Sequence, residues 1–473
     1  MAHKILFIAP LPPPVHGSSM VSKYIKESTL IQESFDCDFV NLSTSRTMDE
    51  IGKGGLKKIF RFLGSLCSLL GKLLTHRYDL CYIAITCHGM GFLKDAPFAL
   101  LCKLFGHKLL LHQHNKGMSR DCNRWPYRWL MPLVYRNATV MLLSWHLYED
   151  ISAVVKREQV IVCPNGIPPL DNENLAAELR ATINVERGTR GHACVYDNDN
   201  ENNSQFTIDN SQLTISTEGA HPQPSSIDLS CQRDNTEFRH DDACCACVGL
   251  PEGNCPPRLG GRAEERSDRA EGVYSKLYTL NSKLNAEPRL LMLSNLIVSK
   301  GIYVLLEACQ RLKERGVAFH CDYVGGESKE VTGEQFRKAI AERGLEDCVI
   351  YHGPQYGEDK DRAFRRADIF VFPTFYDNEC FPLVLVEAMQ YRLPIVTTPE
   401  GGILDIVTDG VNGLVCKQQD VDSLVEALTT LLADAALRRE MGERGHARYL
   451  KEMTLEAFEG SFAELLKSVV FSV

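Results

Sequence analysis

Residues 4–19 read KILFIAPLPPPVHGSS. Lys4 to Ala9 is a continuous apolar run, the pattern of a strand buried on both faces, and the prolines and His16-Gly17-Ser18-Ser19 behind it predict a strand that ends in a loop. The unit recurs. Strand-length runs at Asp36 to Leu42, Leu80 to Ala84, Lys108 to His112, Thr139 to Leu143 and Gln159 to Cys163 are separated mostly by stretches long enough for a helix. This alternation predicts a parallel α/β domain. A second series opens at Arg289-Leu290-Leu291-Met292-Leu293. It continues with helix-like segments at Tyr303 to Arg315, Glu334 to Arg343, Glu358 to Ala367 and Val384 to Gln390, and strand-like ones at Phe319 to Val324, Val349 to His352, Ile369 to Phe372 and Ile395 to Thr397. Val421 to Ala433 and Leu437 to Tyr449 read as later helices.

Between the two series the composition turns to Asn, Ser, Asp, Gly and Pro, with too little apolar content to offset the entropy of ordering a core. The expected organisation is an α/β domain over 1–184, a polar, disordered insertion or linker over 185–286, a second α/β domain over 287–450 and a terminal helix over 451–473. In that helix Leu455, Phe458, Phe462, Leu465, Leu466 and Val469 share a face. Whether it caps the second domain or crosses back to the first is open. The 473 residues carry 52 Lys and Arg against 61 Asp and Glu, a net charge of −9 that argues against nucleic-acid binding over the whole surface. The 18 cysteines lack disulfide spacing, and with no signal-like or membrane-spanning run the expectation is a cytoplasmic protein with reduced thiols.

The most specific string is Asn378-Glu379-Cys380-Phe381-Pro382-Leu383-Val384-Leu385-Val386-Glu387. A helix starting after Pro382 leaves Glu379 on the preceding loop and Glu387 in the early turns, so both carboxylates can face one cleft as acceptors for sugar or ribose hydroxyls. Amides near Phe381 to Leu383 are free to donate. The alternative reading is a pair of solvated acids. Asn295 to Gly301 follows a strand and precedes a helix, placing Lys300 where a phosphate would be stabilised. Gly17 lets a ligand approach the first strand-to-helix turn, but GxGxxG is absent and hydride transfer has no support. His112-Gln113-His114-Asn115 ends a strand at the position where side chains enter the cleft of an open sheet. No acidic or thiol partner stands at metal-ligand spacing.

Taken together, Gly17, His114, Pro164-Asn165-Gly166-Ile167, Ser299-Lys300-Gly301, the Glu379 and Glu387 pair, Gly401-Gly402 and Asp409 to Leu414 make the chain resemble the retaining nucleotide-sugar glycosyltransferases of family 4. That resemblance implies two Rossmann-like domains facing across a cleft, the GT-B fold. It implies a nucleoside-diphosphate sugar donor, a hydroxyl acceptor such as a lipid-linked glycan, and neither essential metal nor tightly bound cofactor. His114, Lys300 and Glu379 would be catalytic. Gly17, Asn295, Lys300, Asn378, Glu379, Cys380, Phe381, Leu383 and Glu387 would line the donor site, with Lys300 on the diphosphate and Glu387 on the ribose. The chain departs from the pattern at Ser294-Asn295, where Gly-Arg is usual, and at Asp405, where Glu is usual; Arg392 is a candidate replacement cation. A nucleotide-sugar epimerase and a non-catalytic sugar-binding protein are the competing readings.

Lys57 to Leu74 is helical in period. Lys57, Lys58, Arg61, Lys72 and His76 gather opposite Ile59, Leu63, Leu66, Leu70 and Leu73. Either the apolar face supports the first sheet while the basic face stays wet, or the helix contacts an anionic membrane. The insertion holds Cys194, Cys231, Cys244, Cys245, Cys247 and Cys255, which lack the paired CxxC knuckles of a zinc site. Oligomeric state is not legible.

Overall fold

The computed structural model describes residues 3–13, 17–43, 56–170 and 287–471, together with four short strands within 171–286. The first sheet comprises β1 (Lys4–Ala9), β2 (Asp36–Asn41), β3 (Leu80–Ile85), β4 (Leu109–Gln113), β5 (Thr139–Leu142) and β6 (Val160–Val162). Its strands lie in the order β2-β1-β3-β4-β5-β6, every pair parallel. β3 is buried along its whole length, which is why its sequence, LCYIAI, shows no alternation.

Within the insertion, β7 (Val195–Tyr196), β8 (Ser204–Asp209), β9 (Gln212–Thr217) and β10 (Ser225–Ile227) form an antiparallel sheet of their own. The insertion cysteines lie outside the described residues. Among those described, all twelve are free thiols and most are buried.

The second sheet is built from β11 (Arg289–Leu293), β12 (His320–Val324), β13 (Val349–Gly353), β14 (Ile369–Phe372), β15 (Ile395–Thr397) and β16 (Gly413–Val415). The order is β13-β12-β11-β14-β15-β16, again wholly parallel. In each sheet the order reverses beside the first strand. Ligands of open α/β sheets bind at such a reversal, outside the carboxyl ends of the strands. In the second sheet it lies between β11 and β14, so the loops after these two strands, carrying Lys300 and Glu379, become neighbours although 79 positions apart.

The terminal helix Leu455–Phe471 crosses back. Phe458, Phe462, Leu466, Val469 and Val470 join the core made by Ile5, Phe7, Tyr82 and Leu110 of the first sheet. The crossing is pinned where Ile167 donates to the Met453 carbonyl (3.0 Å) and Leu455 donates back to Ile167 (2.8 Å). A Cβ on Gly166 would lie 2.2 Å from the Thr454 carbonyl, so only glycine lets the two segments meet.

Candidate active site

Lys300 ends a short 3-10 turn after β11, and Glu379 follows a turn after β14. The Lys300 ammonium hydrogen-bonds the Glu379 carboxylate and lies over the rings of Tyr376 (4.6 Å) and Phe372 (5.2 Å). Such a cation, mostly withdrawn from water and backed by aromatic faces, is held in place rather than free to sweep through solvent. Two glycines make this proximity possible. Gly301 has φ +84 and would place a Cβ 2.1 Å from the Pro373 carbonyl; Gly401 has φ +55 and would place one 2.1 Å from the Glu379 carbonyl. Gly402 donates to the Cys380 carbonyl (2.6 Å). The Gly401-Gly402 loop therefore forms the floor under Glu379 and Cys380.

Helix Leu383–Gln390 begins after Pro382, and Cys380 and Phe381 are buried in the turn before it. Glu387 accepts a hydrogen bond from Lys360 (2.7 Å) and is not part of the Lys300 pair. Its charge is nonetheless felt by the first lobe: burial, and then Glu387, raise the pKa of the Tyr24 phenol on helix Gly17–Glu27. Gly17 opens that helix in an exposed position where a Cβ would meet nothing within 4 Å, so no described neighbour demands glycine there.

Asn295 takes a supporting part. Its side-chain oxygen accepts from the Gly326 amide (3.1 Å), holding the Gly325-Gly326 loop after β12 against the loop after β11. Arg392, the candidate replacement cation, is buried and paired with Glu443 (3.0 Å) rather than joined to the Lys300 pair. Asp405 reaches His146 of the first lobe (3.2 Å).

His114 stands just beyond β4 with its ring 4.0 Å from that of His112, which is fully buried and bonded through Nδ1 to the Tyr82 hydroxyl (2.7 Å). Burial, and then the His114 charge, hold the His112 pKa far below the usual histidine range, so His112 is neutral. Sequence reasoning passed over Lys116, Arg120, Asp150 and Ser144 of the first lobe. Lys116 bonds Glu400 (2.6 Å), and Arg120 bonds the Asn378 side chain and lies 3.6 Å from Asp377. Asp150 accepts from the amides of Gly117 and Met118 and from Ser119, fixing the loop that presents these cations. Ser144 packs where a Cβ on Gly402 would fall. The only local signal was a cation, Lys116, two residues past the His114 strand end; its partner is 284 positions away. The Cys380 thiol is pushed well up, by burial first and then by the Glu379 and Asp150 charges.

The arrangement offers a fixed ammonium, two carboxylates and a run of backbone groups at the mouth of a parallel sheet. That set can hold a polyanion beside hydroxyl-bearing groups. Among the described residues no group of three or more His, Cys, Asp or Glu is disposed to hold a metal ion.

Residues 281–448 match the model of glycosyl transferases group 1. The matched residues include Lys300, Glu379 and Glu387. The chain is 31% identical over 179 residues to the amylovoran biosynthesis glycosyltransferase AmsK of Erwinia amylovora, an overlap covering 37% of this chain and 43% of AmsK. The chain spans about half the length of the curated relatives it matches. Among solved structures, sucrose-phosphate synthase from Thermosynechococcus elongatus superposes with a TM-score of 0.61 at 16% identity, covering 99% of each chain. Anabaena Alr3699/HepE in complex with UDP gives 0.59 at 15% identity, covering 98% of this chain and 100% of HepE. The fold is of the GT-B type: two sheet-and-helix domains with an insertion between them.

Proposed function

We propose that the chain is a retaining glycosyltransferase of family 4 that moves a sugar from a nucleoside-diphosphate sugar to a hydroxyl of a lipid-linked saccharide or polysaccharide intermediate, working at the cytoplasmic face of a membrane. The observation that carries this is the meeting of Lys300 and Glu379 at the strand-order reversal of the second sheet, with Glu387 on the helix that follows. The likeness to a glycosyltransferase of amylovoran biosynthesis supports the class of acceptor.

In this reading Lys300 lies against the diphosphate. Its charge counts most as the phosphate oxygens gain negative charge on departure, which is the condition for lowering a barrier rather than merely binding substrate. Glu379 then exchanges its bond with Lys300 for contacts with the sugar hydroxyls, and Glu387 accepts from the ribose. The acceptor hydroxyl attacks from the side on which the diphosphate leaves. The departing phosphate oxygen takes its proton, so no side-chain base is required and configuration at the anomeric carbon is kept. His114 orients the sugar from the first lobe, while Asn295 acts by holding the Gly325-Gly326 loop.

The test incubates the protein with uracil, guanine and adenine nucleotide sugars and lipid-linked acceptors, reading product mass, nucleoside-diphosphate release and the anomer by NMR. Lys300→Ala and Glu379→Ala should each lower transfer by about a hundredfold or more. Glu387→Ala should chiefly raise the donor KM. Unchanged rates in all three would overturn the site. An inverted product would overturn retention, and an epimerised free nucleotide sugar would favour the epimerase.

A further inference from the structure

The cations of the first lobe differ in what already holds them. Lys72, which the sequence expectation put on the basic face of its helix, is bonded to Asp38 of β2 (2.7 Å), and buried Leu69 and Leu73 anchor the inner side of that helix, Leu56–Thr75. Lys103 donates to the carbonyls of Leu133 and Arg136 at the end of helix Tyr127–Tyr135, and Lys108 donates to the Val470 carbonyl (3.2 Å) at the end of the terminal helix. Both ammonium groups are spent on helix ends. Arg136 is different. Its guanidinium makes no hydrogen bond or ion pair among the described residues, and the same is true of the Asn137 amide and the Thr139 hydroxyl beside it.

These three residues line one cavity of about 710 Å³, a size that suits a small organic molecule. It opens at the amino ends of β4, β5 and β6, where Lys108, Asn137 and Glu158 stand just before the three strands. His114, Lys116 and Ser144 follow the carboxyl ends of β4 and β5, so the parallel sheet separates this cavity from the candidate active site. Its shape is set by bonds within the wall. Gln159 donates to the carbonyls of Tyr135 (3.0 Å) and Ala138 (2.8 Å), holding the turn in which Asn137 takes a left-handed conformation with φ 55.

The lining selects a class of ligand. Lys156 also lines the cavity and lies 3.7 Å from Glu158, both side chains being mostly exposed, so the pair is loose and its cation is available. Burial, and then the Arg136 charge, lower the Lys103 pKa from 10.5 to about 8. Positive charge is crowded at this corner, and an anion beside Arg136 would relieve it. Leu109, Ala138 and Val469, all buried, supply an apolar wall, but no aromatic side chain lines the cavity among the described residues, and a nucleotide base would have nothing to stack on. We propose that this cavity is a second ligand site, which takes a phosphorylated sugar. The phosphate meets Arg136, whose planar fork matches its oxygens, together with Lys156. The sugar hydroxyls meet Asn137 and Thr139, and a carbon face of the ring rests on the apolar wall.

The inference does not depend on the transferase reading, since binding is measured without turnover. Calorimetry on the full chain compares glucose 1-phosphate, glucose 6-phosphate, inorganic phosphate and glucose, each with the wild type and with Lys300→Ala, which removes the ammonium of the second lobe's site. At least one sugar phosphate should bind both proteins alike, about tenfold or more tightly than inorganic phosphate, and glucose should not bind. Arg136→Gln should weaken that binding by about tenfold or more and Thr139→Val by about three- to tenfold, whereas Lys338→Gln, at an exposed cation of the second lobe, should not alter it. Unaltered circular dichroism establishes that the variants are folded. Failure of both sugar phosphates to bind overturns the proposal, as does binding that Arg136→Gln and Thr139→Val leave intact. Inorganic phosphate bound as tightly as either sugar phosphate would mean an adventitious ion only. Binding that disappears in Lys300→Ala would belong to the candidate active site, and the cavity would then hold no ligand of this class.

Discussion

At the residue scale, the candidate site depends on glycine as much as on charge. Gly401 has both a positive φ and a carbonyl where its Cβ would be, so alanine must push the Glu379 backbone aside. Gly401→Ala should cost about 1–3 kcal/mol of stability by urea denaturation and weaken nucleotide binding together with it; loss of stability without any change in binding would separate the loop from the site. Gly17→Ala, in open space, should leave stability nearly unchanged. The places of Lys300, Glu379 and Glu387 in the fold were legible, because strand-like and helix-like runs bracket the two loops and mark the helix that carries Glu387; their roles are the ones proposed above. Asn295 was legible as a position but not as a role: its partner is an amide 31 residues away, and nothing in a linear string marks which backbone group a side chain will find. The reach of Lys116 to Glu400 is hidden for the same reason.

At the scale of elements, period foretold the helices of the second lobe, Leu56–Thr75 and Leu455–Phe471 to within a few residues, whereas Gly17–Glu27, Gly89–Leu104 and Tyr127–Tyr135 were expected only as stretches long enough for a helix. It could not say which sheet a helix would cover. Leu455–Phe471 shows the limit, since its apolar stripe is equally compatible with either sheet, and the choice is made by the chain crossing at Gly166 and Ile167. Phe462, fully buried, meets the Tyr82 ring edge-on at 5.6 Å and stacks on Phe458. Phe462→Ala should cost about 3–5 kcal/mol, and amide exchange should rise first in β1 and β3 rather than in the second sheet. Helix Leu56–Thr75 shows another limit: helical periodicity sorts side chains into faces without saying which one a neighbouring acid, here Asp38, will pull inward.

The packing of helix Ala435–Glu452 on helix Leu383–Gln390 also makes a pH prediction. His446 Nδ1 donates to the Met389 carbonyl (3.2 Å), so the ring is held with its proton on that nitrogen. Burial, followed by the nearby Arg392 charge, lowers its pKa from 6.5 to about 4. Between those values the unfolded chain takes up a proton that the folded chain refuses. This contribution to stability is complete above pH 6.5 and is lost as pH falls towards 4, by up to about 3 kcal/mol. Urea denaturation at pH 7 and pH 4.5 should show a smaller drop for His446→Gln than for the wild type; equal drops would assign acid sensitivity elsewhere.

At the scale of the whole molecule, two sheets of similar order are joined at Ile167 and touch again through polar pairs: Lys116 with Glu400, Arg120 with Asn378, and His146 with Asp405. The double α/β architecture was legible because two runs of alternating elements flank a segment of different composition. The contacts between lobes were not, because they join residues whose neighbours in sequence serve other purposes. Exposed pairs contribute little each, but Lys116 and Glu400 are mostly shielded, and Glu400 is further fixed by Gln418 (2.7 Å) and by the Gly401 amide (3.1 Å). The pair thus connects the loop after β4 to the glycine floor beneath Glu379. Breaking it should let the lobes part and loosen that floor at once. Lys116→Met and Glu400→Gln should each increase the radius of gyration in solution scattering and weaken nucleotide binding by about three- to tenfold, and the double variant should be little worse than either alone, since both changes remove one interaction. Additive losses would mean that the two side chains act separately, and an unchanged radius with unchanged binding would show that the pair does not hold the lobes together.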